Sequence, residues 1–88
     1  MIVTCKIYYY EVFGKGSIEL KLDDGATLRD VVSELNGRFG EVYERKTRRK
    51  LERALEESFN VFLNGTFLRL PADIGYKLKD GDELAILR

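Results

Sequence analysis

An α+β fold, a five-stranded mixed sheet with helices on one face, follows from three patterns in the chain. Apolar residues alternate with period two near both ends. The middle carries apolar residues at helical spacing. The resulting order is strand, strand, helix, helix, strand, strand, strand, which is not the regular alternation of a doubly wound sheet.

Each element has its own signature. Over residues 2–10, Val3, Cys5, Ile7 and Tyr9 share one face, while Thr4, Lys6, Tyr8 and Tyr10 share the other. Phe13-Gly14-Lys15-Gly16 supplies a turn. Ile18, Leu20 and Leu22 then alternate with Ser17, Glu19 and Lys21, so the first two strands form a hairpin. Asp23-Asp24-Gly25 breaks the pattern. Thr27 is placed to cap a helix, with Asp30 as the capping-box acid. Leu28, Val31, Val32, Leu35 and Phe39 form one helical face, and Gly40 supplies a stop, with Asn36-Gly37 as an earlier alternative. Residues 41–58 read as a second helix with a narrow stripe of Tyr43, Thr47, Leu51, Ala54 and Leu55. Glu41–Arg45 and Glu44–Arg48 have the spacing of stabilising i,i+4 pairs. Val61 to Leu70 reads as a hairpin about Asn64-Gly65, a pair suited to a type I′ turn because both positions need positive φ. Asp80-Gly81-Asp82 is a turn, and Glu83–Leu87 is the last strand.

Composition narrows the function. The chain has 88 residues, the length of one domain, 1–88. Lys+Arg and Asp+Glu are both 15, and this balance argues against a general nucleic-acid or membrane-surface binder. Histidine is absent, which removes Ser-His-Asp and Cys-His nucleophile systems and histidine metal sites. The single cysteine, Cys5, makes no internal disulfide and falls on the inward face as a small apolar residue. No signal peptide and no apolar run of about 20 residues is present, so the expectation is a cytoplasmic protein with no membrane partner. The basic run Arg45-Lys46-Thr47-Arg48-Arg49-Lys50 is bracketed by five glutamates and lacks interleaved aromatics, so it reads as a salt-bridged solvent face rather than a nucleic-acid site. No residue is assigned to catalysis, to a metal or to a cofactor.

Four stretches carry a family resemblance. They are Lys6-Ile7-Tyr8-Tyr9-Tyr10, Thr27-Leu28-Arg29-Asp30-Val31, Leu63-Asn64-Gly65-Thr66, and above all Leu78-Lys79-Asp80-Gly81-Asp82-Glu83-Leu84-Ala85-Ile86. Together they resemble the ubiquitin-like sulfur carriers of the β-grasp fold. That family comprises the small subunit of molybdopterin synthase, the thiamine sulfur carrier and archaeal small modifier proteins. Residues 40–59 match it only as a variable helical insertion. The resemblance implies a carrier rather than an enzyme, with an ATP-dependent activating enzyme and a large synthase subunit as partners. In the family the chemistry resides on a Gly-Gly tail beyond the last strand, where two residues without Cβ thread a narrow active site. This sequence reaches Arg88, so the expectation is a shortened form of a carrier for molybdenum or tungsten cofactor synthesis. A ubiquitin-like modifier or interaction module without carrier chemistry is the alternative.

Strand parity places Tyr8, Tyr10 and Phe62 on the open face of the sheet. By resemblance, Tyr10, Phe67 and Ile86 match the family's partner-binding positions. With Arg88 at the end of the sequence, they form the expected partner interface. Ile86 conflicts with parity, since Leu84 shares its face.

Overall fold

The computed structural model describes residues 1–8 and 16–87. It contains β1 (Ile2–Ile7), β2 (Ser17–Lys21), α1 (Leu28–Thr47), α2 (Leu51–Glu57), β3 (Asn60–Leu63), β4 (Thr66–Leu68) and β5 (Glu83–Leu87). The five strands form one mixed sheet in the order β2-β1-β5-β3-β4. The central pair, β1 and β5, is parallel; β1–β2, β3–β4 and β3–β5 are antiparallel. This is the α+β architecture that the three patterns predict. The turn expected over residues 13–16 lies, except for Gly16, outside the described residues.

Strand parity decides what is buried. Val3, Cys5 and Ile7 of β1, Leu20 of β2, Val61 and Leu63 of β3, and Leu84 and Ile86 of β5 all face the helices. Leu28, Val31, Leu35 and Tyr43 of α1 and Leu51, Ala54 and Leu55 of α2 cover them. The Tyr43 and Phe59 rings meet at 6.2 Å within this layer. Fully burying an aliphatic side chain stabilises the fold by about 1.5–3 kcal/mol.

The start of α1 is over-determined. The Thr27 N–H donates to the Asp30 carboxylate at 2.7 Å, as a capping box requires. The next two N–H groups, of Leu28 and Arg29, donate to the carbonyls of Tyr76 and Ile74 at 2.9 and 2.8 Å. The connector between β4 and β5 therefore satisfies donors that every helix N-terminus leaves open. The same connector contains a cis Leu70–Pro71 peptide, and Arg69 and Asp73 close a turn within it by exchanging two hydrogen bonds.

The helix boundary differs from the expectation. Neither Asn36-Gly37 nor Gly40 ends α1, which runs for 20 residues to Thr47. The reason is packing. Leu35, Phe39 and Tyr43 lie four residues apart and press on the core without a break in phase, and this outweighs about 1 kcal/mol of helix propensity lost at each glycine. The break comes at 48–50 instead, where Arg48 takes a left-handed conformation (φ 61°). Its N–H donates to Glu44 at 2.7 Å. The second helix is thus Leu51–Glu57 rather than 41–58, and the stripe of Tyr43, Leu51, Ala54 and Leu55 is shared between two helices. Because Arg48 leaves the helix, the expected Glu44–Arg48 pair does not form; Glu44 meets Lys50 at 3.8 Å. Glu41–Arg45 does not form either, and the i,i+4 pairs that do are Glu34–Arg38 and Arg53–Glu57. Arg49 bridges the break by donating to the Ser58 hydroxyl at 2.9 Å and pairing with Glu57 at 3.3 Å.

Gly37 offers a direct check, since nothing lies within 4 Å of where its Cβ would be. Gly37→Ala should stabilise the protein by about 1 kcal/mol, read as a raised denaturation midpoint at constant slope. A lowered midpoint would mean that the helix does not run through this position.

Candidate functional site: the open face of the sheet

The helices cover one face of the sheet and leave the other bare. The strand registers set its residues in rows. Lys6 is paired with Ala85, Ala85 with Phe62, and Phe62 with Phe67, so one row crosses four strands. In the neighbouring row Leu87 is paired with Asn60, and the Tyr8 N–H donates to the Ile86 carbonyl at 2.9 Å, which puts Tyr8 beside Leu87. Tyr8 and Phe67 are 47% and 48% exposed, high values for large apolar side chains. The Phe62 and Phe67 rings meet at 5.5 Å with a 58° tilt, a favourable aromatic geometry. The result is an apolar band of Tyr8, Leu87, Ala85, Phe62 and Phe67. A shallow groove runs along it between Phe62, Gly65 and Leu87.

The band has a polar rim. Lys6 and Glu83 form an ion pair across β1 and β5, each about half exposed. The hydrogen bond that Lys6 donates to the Glu83 carboxylate, reinforced by the negative charge there, raises the Lys6 pKa above its ordinary value.

The two most specific sequence motifs meet at the end of the band and lock β5 in place. Asn64 and Gly65 have φ of 48° and 86°, the positive pair that a type I′ turn requires. The Asn64 side chain donates to Asp82 at 3.0 Å and accepts the Glu83 N–H at 3.0 Å. Asp82 is buried and also accepts the Lys79 N–H at 2.7 Å. Asp80 accepts the Ile2 N–H at 2.7 Å, and Gly81, at φ 85°, donates to the Ile2 carbonyl. This clasp joins β1, the β3–β4 turn and the start of β5.

Of the expected interface residues, Tyr8, Phe62 and Phe67 lie together in the band. Ile86 does not. It is 2% exposed, and its register with Ile7 and Val61 sets it among inward residues beside Leu84. No bulge intervenes, so parity wins. Tyr10 and Arg88 lie outside the described residues. Ala85 and Leu87 complete the band and were not expected, although alternation with Leu84 and Ile86 marks them.

Burial pushes the Cys5 thiol up to about 12, and the Arg38 charge only partly opposes this, so Cys5 is a core residue and no nucleophile. Among the described residues no group of acidic or cysteine side chains is arranged to hold a metal ion, and every buried side-chain polar atom has a partner. No helix among them is long and apolar enough to cross a membrane.

Comparison with known proteins agrees with this fold. The sequence profile described as the ThiS family matches residues 8–88. No curated protein matches the chain significantly. Among solved structures, SAMP1 from Haloferax volcanii superposes with a TM-score of 0.73 at 24% identity, covering 99% of this chain and 93% of its own. A chain of the BexX/CysO complex from Amycolatopsis orientalis gives a TM-score of 0.66 at 27% identity, with 97% and 92% covered. A chain of the complex of subunits 1 and 2 of molybdopterin-converting factor from Helicobacter pylori gives 0.55 at 18%, with 99% and 92% covered. The neighbours under 25% identity speak for the fold alone.

Proposed function

The chain belongs to the ThiS family, and from that membership we propose that it is a sulfur carrier that delivers sulfur to a cofactor precursor while docked on a larger partner by the open face of its sheet. The observation that carries this reading is the apolar band of Tyr8, Phe62, Phe67, Ala85 and Leu87, which lies beside the C-terminal end of β5. A partner seated on that band meets the chain as it leaves β5, where the family bears its reactive carboxylate. Aromatic side chains on a rigid face are good anchors for such a partner.

In this reading an ATP-dependent activating enzyme adenylates a terminal glycine carboxylate with release of pyrophosphate, and a sulfide nucleophile displaces AMP to leave a thiocarboxylate. Adenylation supplies the leaving group that a free carboxylate lacks. The work of the described residues in this reading is to present the terminus and bind the partner. The large synthase subunit is the proposed acceptor-side partner, and molybdenum or tungsten cofactor synthesis the proposed route, by analogy with the Helicobacter pylori complex. The site of action is the cytoplasm, where ATP and reduced sulfur are available.

Intact mass spectrometry of the native protein tests this. The native chain should extend to Gly-Gly, and incubation with an activating enzyme, ATP and a sulfur donor should add the mass difference of sulfur for oxygen. A native mass ending at Arg88, or no gain from a Gly-Gly terminus, overturns the carrier role. The likeness to SAMP1, a small archaeal modifier protein, supports a second reading, a modifier joined to target lysines. Adducts on lysines with ATP but without a sulfur donor would favour it.

A further inference from the structure

The sheet has two edges, and only one is built to continue. β4 is three residues long, whereas β2 runs over five, Ser17–Lys21. The hydrogen bonds flanking β2 fix which of its backbone groups are used. Met1 and Leu22 exchange two bonds at 2.8 and 2.9 Å, and the Ile7 N–H donates to Gly16 at 3.1 Å. In an antiparallel ladder bonded and non-bonded pairs alternate. Residues 16, 18, 20 and 22 therefore bond to β1. Ser17, Glu19 and Lys21 turn their N–H and C=O groups outward, and no described residue meets them.

An open row of this kind is a template for another strand. The side chains on it select which one. Glu19 and Lys21 are both exposed, sit two residues apart on the same face, and pair with no other charge among the described residues. This spacing is self-complementary. In an antiparallel match centred on Leu20, Glu19 lies opposite the partner's Lys21, and Lys21 opposite the partner's Glu19. Both positions are also those whose backbone groups face outward, so the same register satisfies the ladder and the charges. Opposite charges across a strand pair stabilise it, and like charges destabilise it. The formal net charge of zero leaves no long-range repulsion between copies.

We propose that the chain self-associates through β2, a second copy adding its β2 antiparallel about a two-fold axis at Leu20 to give one sheet continuous across both copies. The contact is isologous, so it closes as a dimer and does not propagate. It leaves both apolar bands uncovered, since β2 is at the far edge from β3 and β4. Each dimer then presents two docking faces. Edge pairing alone buries less than the roughly 1,200 Å² of a standard stable interface, so the dimer is a weak one.

The test uses the full chain, by sedimentation and by amide hydrogen exchange over rising protein concentration. The mass should climb toward that of a dimer, with exchange slowing several-fold at Glu19 and Lys21. Glu19→Lys and Lys21→Glu should each weaken association several-fold, and the double exchange should restore it. Glu19→Pro should abolish it with the fold intact, because that N–H makes no bond to β1. A monomer at every concentration, association that protects β4 or the open face instead, or failure of the double exchange to restore it overturns the proposal. The carrier reading is untouched by a monomer or by a failed double exchange, since it rests on the band across β1, β5, β3 and β4 and not on the outer edge of β2.

Discussion

Asp82→Ala is expected to lower the stability of the fold by about 2–3 kcal/mol, a large share of the ~4–13 kcal/mol expected for a domain of this size. The carboxylate is buried and accepts from both the Asn64 amide and the Lys79 N–H, at 3.0 and 2.7 Å. Hydrogen bonds to a charged acceptor are worth about 1.5–3 kcal/mol each, and the donors left behind regain part of that from water because Lys79 and Asn64 are exposed. Asp82→Asn keeps an acceptor in place and should fall between the wild type and the alanine variant. Denaturant unfolding at unchanged slope reads both. A coupling term with Asn64→Ala, from a double-mutant cycle, separates the clasp from a general effect of the turn. If Asp82→Ala stays within about 0.5 kcal/mol of wild type, the level of an ordinary surface change, the clasp does not hold β5. The consequence for function is positional. A loosened clasp frees the start of β5, and with it the register that sets Ala85 and Leu87 outward.

That register shows where the sequence is readable and where it is not. The strands are legible because a period of two survives in β1, β2, β3 and β5, and because Asn64-Gly65 and Asp80-Gly81-Asp82 need backbone conformations that few other residues adopt. The boundary between the helices is not legible. Gly37 and Gly40 look like stops, yet the stripe through Leu35, Phe39 and Tyr43 overrides them. The true break carries no glycine or proline; it is Arg48 in a left-handed conformation, held by bonds that only the folded helix pair provides. The candidate site divides in the same way. Parity alone finds Tyr8 and Phe62, and applied to β5 it points to Ala85 and Leu87. Resemblance points instead to Ile86, which the sheet turns inward. Where a position carried over from a family conflicts with strand alternation, the pleat decides, because a single-residue slip would expose Leu84 and Ile86 together.

Phe67→Ser should weaken binding to a partner subunit by about 2 kcal/mol, or roughly thirtyfold in Kd, while leaving the fold in place. The argument rests on the position of the ring. Phe67 is 48% exposed and borders Phe62 at 5.5 Å, so the free protein loses only part of an aromatic pair, about 0.5–1.5 kcal/mol. A partner seated on the band removes the exposed half of the ring from water beside Phe62, and the variant forfeits that gain. Area alone does not set the effect; an aromatic anchor dominates its neighbours. The rim should behave differently. Lys6→Ala breaks the ion pair with Glu83 at the margin of the band, and should alter the salt dependence and association rate more than the affinity. Calorimetry with the purified large subunit, alongside a thermal melt of each variant, distinguishes the two. A Phe67→Ser variant that binds as the wild type does would remove the open face from the interface, whatever chemistry the terminus performs.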